Sequence, residues 1–238
     1  MTIIVLFLAV VSSIAAWWLW HQGLTSKPWL EEGVIGDARA PGMSTTSPSK
    51  VGLGVFLVVA STLFMLLISA YAMRMPARDW LPLPIPKMLW LTTGLLVLSS
   101  IALQSALMAA RRGSLAGVRG GLVAGGVSAL AFLFGQLVAW RQLSTEGFLL
   151  AANVANAFFY LMTALHGLHV SGGLVALGRT GAKVWSDDQF ELPEITASVE
   201  LCAIYWHFLL FVWLILFALL MGWGSDFLEI CRQVFADP

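Results

Sequence analysis

Six stretches of this chain are apolar over about 20 residues each, the length an α-helix needs to cross the roughly 30 Å hydrocarbon core of a bilayer. Inside lipid no water satisfies the backbone, so every amide and carbonyl of a spanning segment must be bonded within the protein, as a helix does. Composition agrees: 59% of the 238 residues are hydrophobic and 11% charged, with a mean hydropathy of +0.85. A soluble domain carries about 25% charged residues, and so few charges could not cover a water-facing surface of this size. The chain therefore reads as all-α, a polytopic membrane helix bundle of about six transmembrane helices. Its formal net charge of zero offers no electrostatic case for nucleic acid as a partner. Cys202 and Cys231 have no zinc-like spacing and suggest no disulfide framework.

The first apolar run, residues 2–20, has no Lys or Arg ahead of it and ends in a poor cleavage site. It is expected to be a retained helix with a tryptophan belt at Trp17, Trp18 and Trp20. Residues 1–22 thus form an extra N-terminal helix. Residues 23–50 form a polar linker rich in Gly, Ser, Thr and Pro, expected to be extended or partly unfolded. The main bundle occupies residues 51–224, with helices expected over 51–73, 86–110, 120–140, 148–178 and 196–223, and residues 225–238 are a tail. Pro82, Pro84 and Pro86 make the connector between the second and third helices stiff and extended. A wet loop is expected around Asp187 and Asp188.

Positive charges orient the bundle. Lys27, Arg39, Lys50, Arg111, Arg112, Arg119, Arg179 and Lys183 fall on one side, against Arg74, Arg78, Lys87, Arg141 and Arg232 on the other. The richer side is expected to be cytoplasmic, which puts both termini outside. Glycines at 120–121, 125–126, 167 and 172–173 would let helix backbones approach closely.

Chemistry concentrates in the last third of the chain, which holds three of the four histidines. His166 and His169, three apart, lie on adjacent parts of one helical face. They read either as imidazoles hydrogen-bonded to neighbouring helices or as ligands of a metal or haem. A redox centre needs ligands from several directions, and four histidines, one of them His21 far upstream, are too few for a haem–copper site. Glu200 and His207 stand two turns apart on one face, and Trp206 and Trp213 repeat that spacing. Glu200 either snorkels to the interface or makes a polar contact within the bundle or with a lipid headgroup. Antiparallel packing of the last two helices would set His166 and His207 at similar depth. No nucleophile–base pair, phosphate loop or ligand cluster stands out.

These residues carry a resemblance. The series Phe-Phe-Tyr-Leu-Met-Thr-Ala-Leu-His166-Gly-Leu-His169-Val-x-x-Gly, then Glu200-x5-Trp206-His207-Phe-x4-Trp213, resembles subunit III of the haem–copper oxidases. Lys50-Val-Gly-Leu-Gly through Ala70-Tyr71, Trp90-Leu-x-Thr93 to Ser99-Ser100, and Gln136-x3-Trp140 extend the likeness over residues 50–224. The resemblance implies a five-helix core plus one extra N-terminal helix. It implies a non-redox accessory subunit in a bacterial inner membrane, packed on catalytic subunit I with subunit II nearby. Haem and copper would belong to the partners, with no catalytic residue and no metal held by this chain. In the family the subunit also holds phospholipid in a V-shaped cleft and supports sustained proton uptake. Here the cleft would lie between helices two–three and four–six, with Arg111, Arg112 and Arg119 as available headgroup cations. His166, His169, Glu200, Trp206, His207, Trp213 and Gln136 are the candidate structural, cleft or subunit-contact residues. Quinol oxidase and nitric oxide reductase systems, or a stand-alone transporter, are the alternatives, and the electron donor is not encoded here. Ala60 and Ala139 stand where the family usually has acidic residues, Leu209-Leu210 stands where it usually has Val-Asp, and Thr92 replaces its usual asparagine. Losing three acids argues against direct proton carriage and leaves the structural and lipid roles intact.

Overall fold

The computed structural model describes residues 48–222 except 79, 82, 85 and 187–191. The expected helix over residues 2–20, nearly all of the linker and the tail lie outside the described residues. Five helices follow in order: α1 Pro48–Arg74, α2 Met88–Arg111, α3 Leu115–Thr145, α4 Val154–Trp185 and α5 Leu192–Leu220. They correspond to the second to sixth apolar runs, and each is long and apolar enough to cross a membrane. This is a multi-pass, all-helical membrane protein.

Helix ends depart from the apolar runs for local reasons. α3 begins at Leu115 and ends at Thr145, several residues beyond the expected 120–140. Hydropathy marks the lipid-facing part, whereas backbone bonding continues through Arg119, Arg141 and Gln142. α4 starts at Val154 where 148 was expected, although Phe148 to Ala152 are mostly apolar. Gly147 adopts φ +90°, and Phe148 N–H bonds back to Leu143 O at 2.9 Å, which closes α3 with a glycine cap. Asn153 then restarts the chain as an N-cap, its side chain accepting from Ala155 N. The same device joins α2 to α3. Gly113 at φ +72° lets Ser114 N–H bond Ala109 O at 2.9 Å, and Ser114 itself caps α3 by accepting from Gly117 N.

That short turn sets α2 and α3 side by side, and small residues let them close. A Cβ added at Gly121 would stand 2.7 Å from Ala106 Cβ and 2.8 Å from Ala102 O. α2 packs on α3, α3 on α4, α4 on α5, and α5 back on α2, so these four close into a ring. Leu89, Leu96 and Leu103, two turns apart on α2, are buried in it with Phe132, Phe159, Trp206 and Trp213. α1 lies outside the ring against α5 and α4, held by a second apolar cluster of Phe64, Tyr71, Met162, Val212 and Leu216.

One expectation is corrected. A cleft separating helices two–three from helices four–six requires α1 to pair with α2, and these two do not touch. α2 belongs to the ring because its small-residue face meets the glycines of α3. The apolar groove lies instead between α1 and the α4–α5 pair. It encloses about 280 Å³ and is lined by Leu53, Phe56, Gly172, Ala176, Cys202 and Tyr205 among others.

The two adjacent glycines of α3 give a paired test. Gly121→Ala forces backbone apart and is expected to cost about 1–3 kcal/mol. Gly120→Ala, with nothing within 4 Å of the new methyl, should change stability by less than about 0.5 kcal/mol. Unfolding of both variants in mixed detergent micelles, followed by circular dichroism, checks the difference.

Candidate functional site

The ring helices meet around two side chains, His166 of α4 and Trp213 of α5. Both are fully buried, and their rings lie 4.9 Å apart. Phe132 of α3 stands edge-on to each, at 5.6 Å from His166 and 5.0 Å from Trp213. Trp213 Nε1–H donates to Thr93 Oγ on α2 at 2.9 Å, and Thr93 in turn donates to Leu89 O at 2.7 Å. His166 Nε2 lies 3.0 Å from Leu209 O on α5. A carbonyl only accepts, so Nε2 carries the proton. Nδ1 is left buried with no partner in the described structure. One cluster therefore ties all four ring helices.

The remaining sequence candidates form a series of smaller ties. Gln136 Nε2–H of α3 donates to Thr92 Oγ of α2 at 3.1 Å. His169 Nδ1 faces Leu165 O of its own helix at 2.8 Å; its links to α1 are ring contacts, with Phe64 at 5.2 Å and Phe56 at 6.2 Å. Trp206 is fully buried and fits against Gly173, where an added Cβ would lie 2.8 Å from its ring. His207 Nδ1 lies 3.2 Å from Ser100 Oγ of α2, with the ring itself exposed. His166 and His207 thus share a depth, through Leu209 and Ser100, while serving different neighbours.

Glu200 sits near the end of the bundle where α1 begins and α2 ends. Its carboxylate lies 2.9 Å from Lys50 Nζ of α1 and 3.8 Å from Arg111 Nη2 of α2. This pair of contacts links α1 and α2 through α5, although the two helices do not otherwise meet. Arg119 is engaged elsewhere. Its guanidinium donates to Val184 O at 3.1 Å and lies 5.9 Å from the Trp185 ring, serving the carbonyl-rich end of α4, where a cation is favoured. Arg112 is exposed in the α2–α3 turn. Among the described residues no three His, Cys, Asp or Glu side chains gather as a metal site would require.

Several residues in these ties were not among the site candidates read from the sequence. Ser99 donates to Gly125 O at 2.7 Å, Trp140 to Thr163 Oγ at 3.0 Å, and Tyr205 OH to His169 O at 2.9 Å. A signal existed on α2, where Thr92, Thr93, Ser99 and Ser100 repeat hydroxyl pairs at seven-residue spacing on the face that meets α3 and α5. The Trp213–Thr93 tie can be weighed by a double-mutant cycle of Trp213→Phe and Thr93→Val in micellar unfolding. The expected coupling is about 0.6 kcal/mol and no more than about 1.7 kcal/mol, the range of polar contacts between membrane helices.

Comparison with known proteins fits this arrangement. The family described as cytochrome c oxidase subunit III matches residues 1–225. A protein of Mycobacterium tuberculosis (strain H37Rv), named probable cytochrome c oxidase subunit 3, is 33% identical over 189 residues, covering 74% of this chain and 90% of its own length. The cytochrome c oxidase subunit 3 of Synechocystis is 31% identical over 177 residues, 71% of this chain and 72% of its own. The probable subunit 3 of Nocardia farcinica is 32% identical over 187 residues, 74% of this chain and 89% of its own. Family match and relatives converge: the chain belongs to the cytochrome c oxidase subunit III family and is a membrane subunit of an oxidase.

Proposed function

We propose that this chain is a non-redox accessory subunit, packed on catalytic subunit I of a cytochrome c-type terminal oxidase in a bacterial inner membrane. Subunit II completes the core, and haem and copper reside in the partner chains. The observation that carries this reading is how the polar side chains of the bundle core are used. His166, Trp213, Gln136 and Thr93 each bond one neighbour on another helix, and among the described residues none is hydrogen-bonded to an acid or a nucleophile that it could activate. Such groups fix a shape and carry out no reaction. The extra helix over residues 1–22, the linker over 23–50 and periplasmic termini belong to the same proposal.

Lipid organisation and support of proton uptake follow from two features. The groove of about 280 Å³ between α1 and the α4–α5 pair is apolar along its length. Lys50, Arg111 and Glu200 sit at one end of it, a turn from Leu53 and beside Leu201. Such a groove suits an acyl chain whose headgroup meets the charges, with Arg112 as a further exposed cation. The positions of the family's acids are apolar here: Ala60 is 4% exposed, Ala139 fully covered, and Leu210 half-buried. Protons would therefore not pass along this chain, and its support of uptake would be through packing on the neighbouring subunit.

Glu200→Ala in the assembled oxidase is the test. Exposed ion pairs are worth up to about 1 kcal/mol, so retention of this subunit, or the lifetime of turnover, should fall by no more than about five-fold. Haem spectra and the initial rate should be unchanged. Loss of a haem or copper signal with all subunits still associated would overturn the reading.

A further inference from the structure

α1 and α2 both pack on α5 and not on each other, so α5 keeps an uncovered strip between them. The spacing i, i+4, i+7, i+11, i+14 places Glu200, Ile204, His207, Phe211 and Leu214 along it. Ile204, His207, Phe211 and Leu214 are exposed. Most of this strip could face lipid without cost. His207 could not.

His207 lies 15 residues from the start of α5 and 13 from its end, roughly 20 Å from either. That is the middle of the hydrocarbon. Its Nδ1 is taken by Ser100, and its Nε2 has no partner among the described residues. Whichever nitrogen carries the proton, Nε2 presents a donor or a bare lone pair outward. Four residues beyond Ser100 on the same face of α2 comes Gln104, about 6 Å nearer the Glu200 end. Gln104 is half-buried, and its amide has no hydrogen bond among the described residues, though it can donate twice and accept twice. Two adjacent polar groups, from two helices, are thus unsatisfied at a depth where water is scarce and each orphan costs free energy.

We propose that this strip is the seat of a membrane-spanning helix from another oxidase subunit, one carrying a hydrogen-bonding side chain at mid-depth to meet His207 Nε2 and the Gln104 amide. The inference rests on the accessory-subunit reading and identifies the face by which this chain docks. Depth decides between helix and lipid. The polar groups of a phospholipid sit at the headgroup level, about 15 Å from the midplane, and its acyl chains offer no hydrogen bond. A neighbouring helix can place an amide, hydroxyl or carboxyl side chain at any depth, which is how polar residues join helices in membranes. The apolar groove on the other side of α1 is lined almost wholly by apolar surface and suits an acyl chain.

The test uses the whole oxidase, purified in mild detergent. A photoreactive p-benzoyl-phenylalanine replaces Phe211, 63% exposed beside His207, and in a control it replaces Leu168, 67% exposed on α4. Illumination should join position 211 to a membrane helix of another oxidase subunit and position 168 to lipid alone. His207→Leu and Gln104→Leu should each lower retention of this subunit during detergent washing by about three-fold, with the isolated chain's helical content unchanged. Adducts from position 211 to lipid, or to residues 2–20 of this same chain, would overturn the proposal while this subunit's presence in the complex upholds the accessory role. Undiminished retention in both leucine variants would overturn it as well. If no haem-containing partner co-purifies at all, the accessory reading falls and this inference with it.

Discussion

The core of this bundle has no water to lend, and that condition governs nearly every polar side chain in it. A hydroxyl, indole or imidazole between membrane helices either finds a protein partner or stays unpaired at a cost of about 1–3 kcal/mol. Thr93 shows the solution in miniature. Its oxygen accepts from Trp213 on α5 while its proton goes to Leu89 O on its own helix, so one small side chain satisfies two helices. Gln136 reaches Thr92 in the same way from the other side. The ring of α2 to α5 is drawn together by van der Waals packing, since lipid is as apolar as leucine. These bonds then settle which residue faces which.

Much of this architecture was legible in the sequence, and the illegible parts share a cause. Apolar runs of bilayer length located all five described helices, because hydropathy over about 20 residues leaves few alternatives. The α2–α3 turn was written in Arg112-Gly113-Ser114, a glycine cap followed at once by a serine cap. The start of α4 was obscured since Phe148 to Ala152 are as apolar as the helix they precede; only Gly147 and Asn153 mark the break. Helix adjacency was harder still. The family resemblance implied that α1 and α2 would stay together, yet the pairing was decided by glycines on α3 that admit Ala102 and Ala106 of α2.

The site was legible to a similar degree. His166, Trp213 and Gln136 declared themselves as polar or amphipathic groups in apolar surroundings, and each makes a bond between helices. Their partners did not, because serine and threonine are common in membrane helices and usually bond their own preceding turn, as Ser61 and Thr62 do here. Arg119 reads in sequence like its neighbours Arg111 and Arg112. Only three dimensions reveal that it reaches across to the end of α4. Gln104 carried the same signature as Gln136, a lone amide in an apolar helix, and passed unremarked for want of any motif around it.

The position of α1 bears on how the chain is made. Synthesis delivers α1 to the bilayer before α4 and α5, the described helices it packs against. The α2–α3 hairpin, by contrast, can close as soon as its three-residue turn has emerged. α1 must therefore wait in lipid as an independent helix, which its apolar sides equip it to do, with Ser61 and Thr62 each bonded to its own backbone. Assembly of this subunit then runs from the inside of the sequence outward, and the helix described first is the last to find its place.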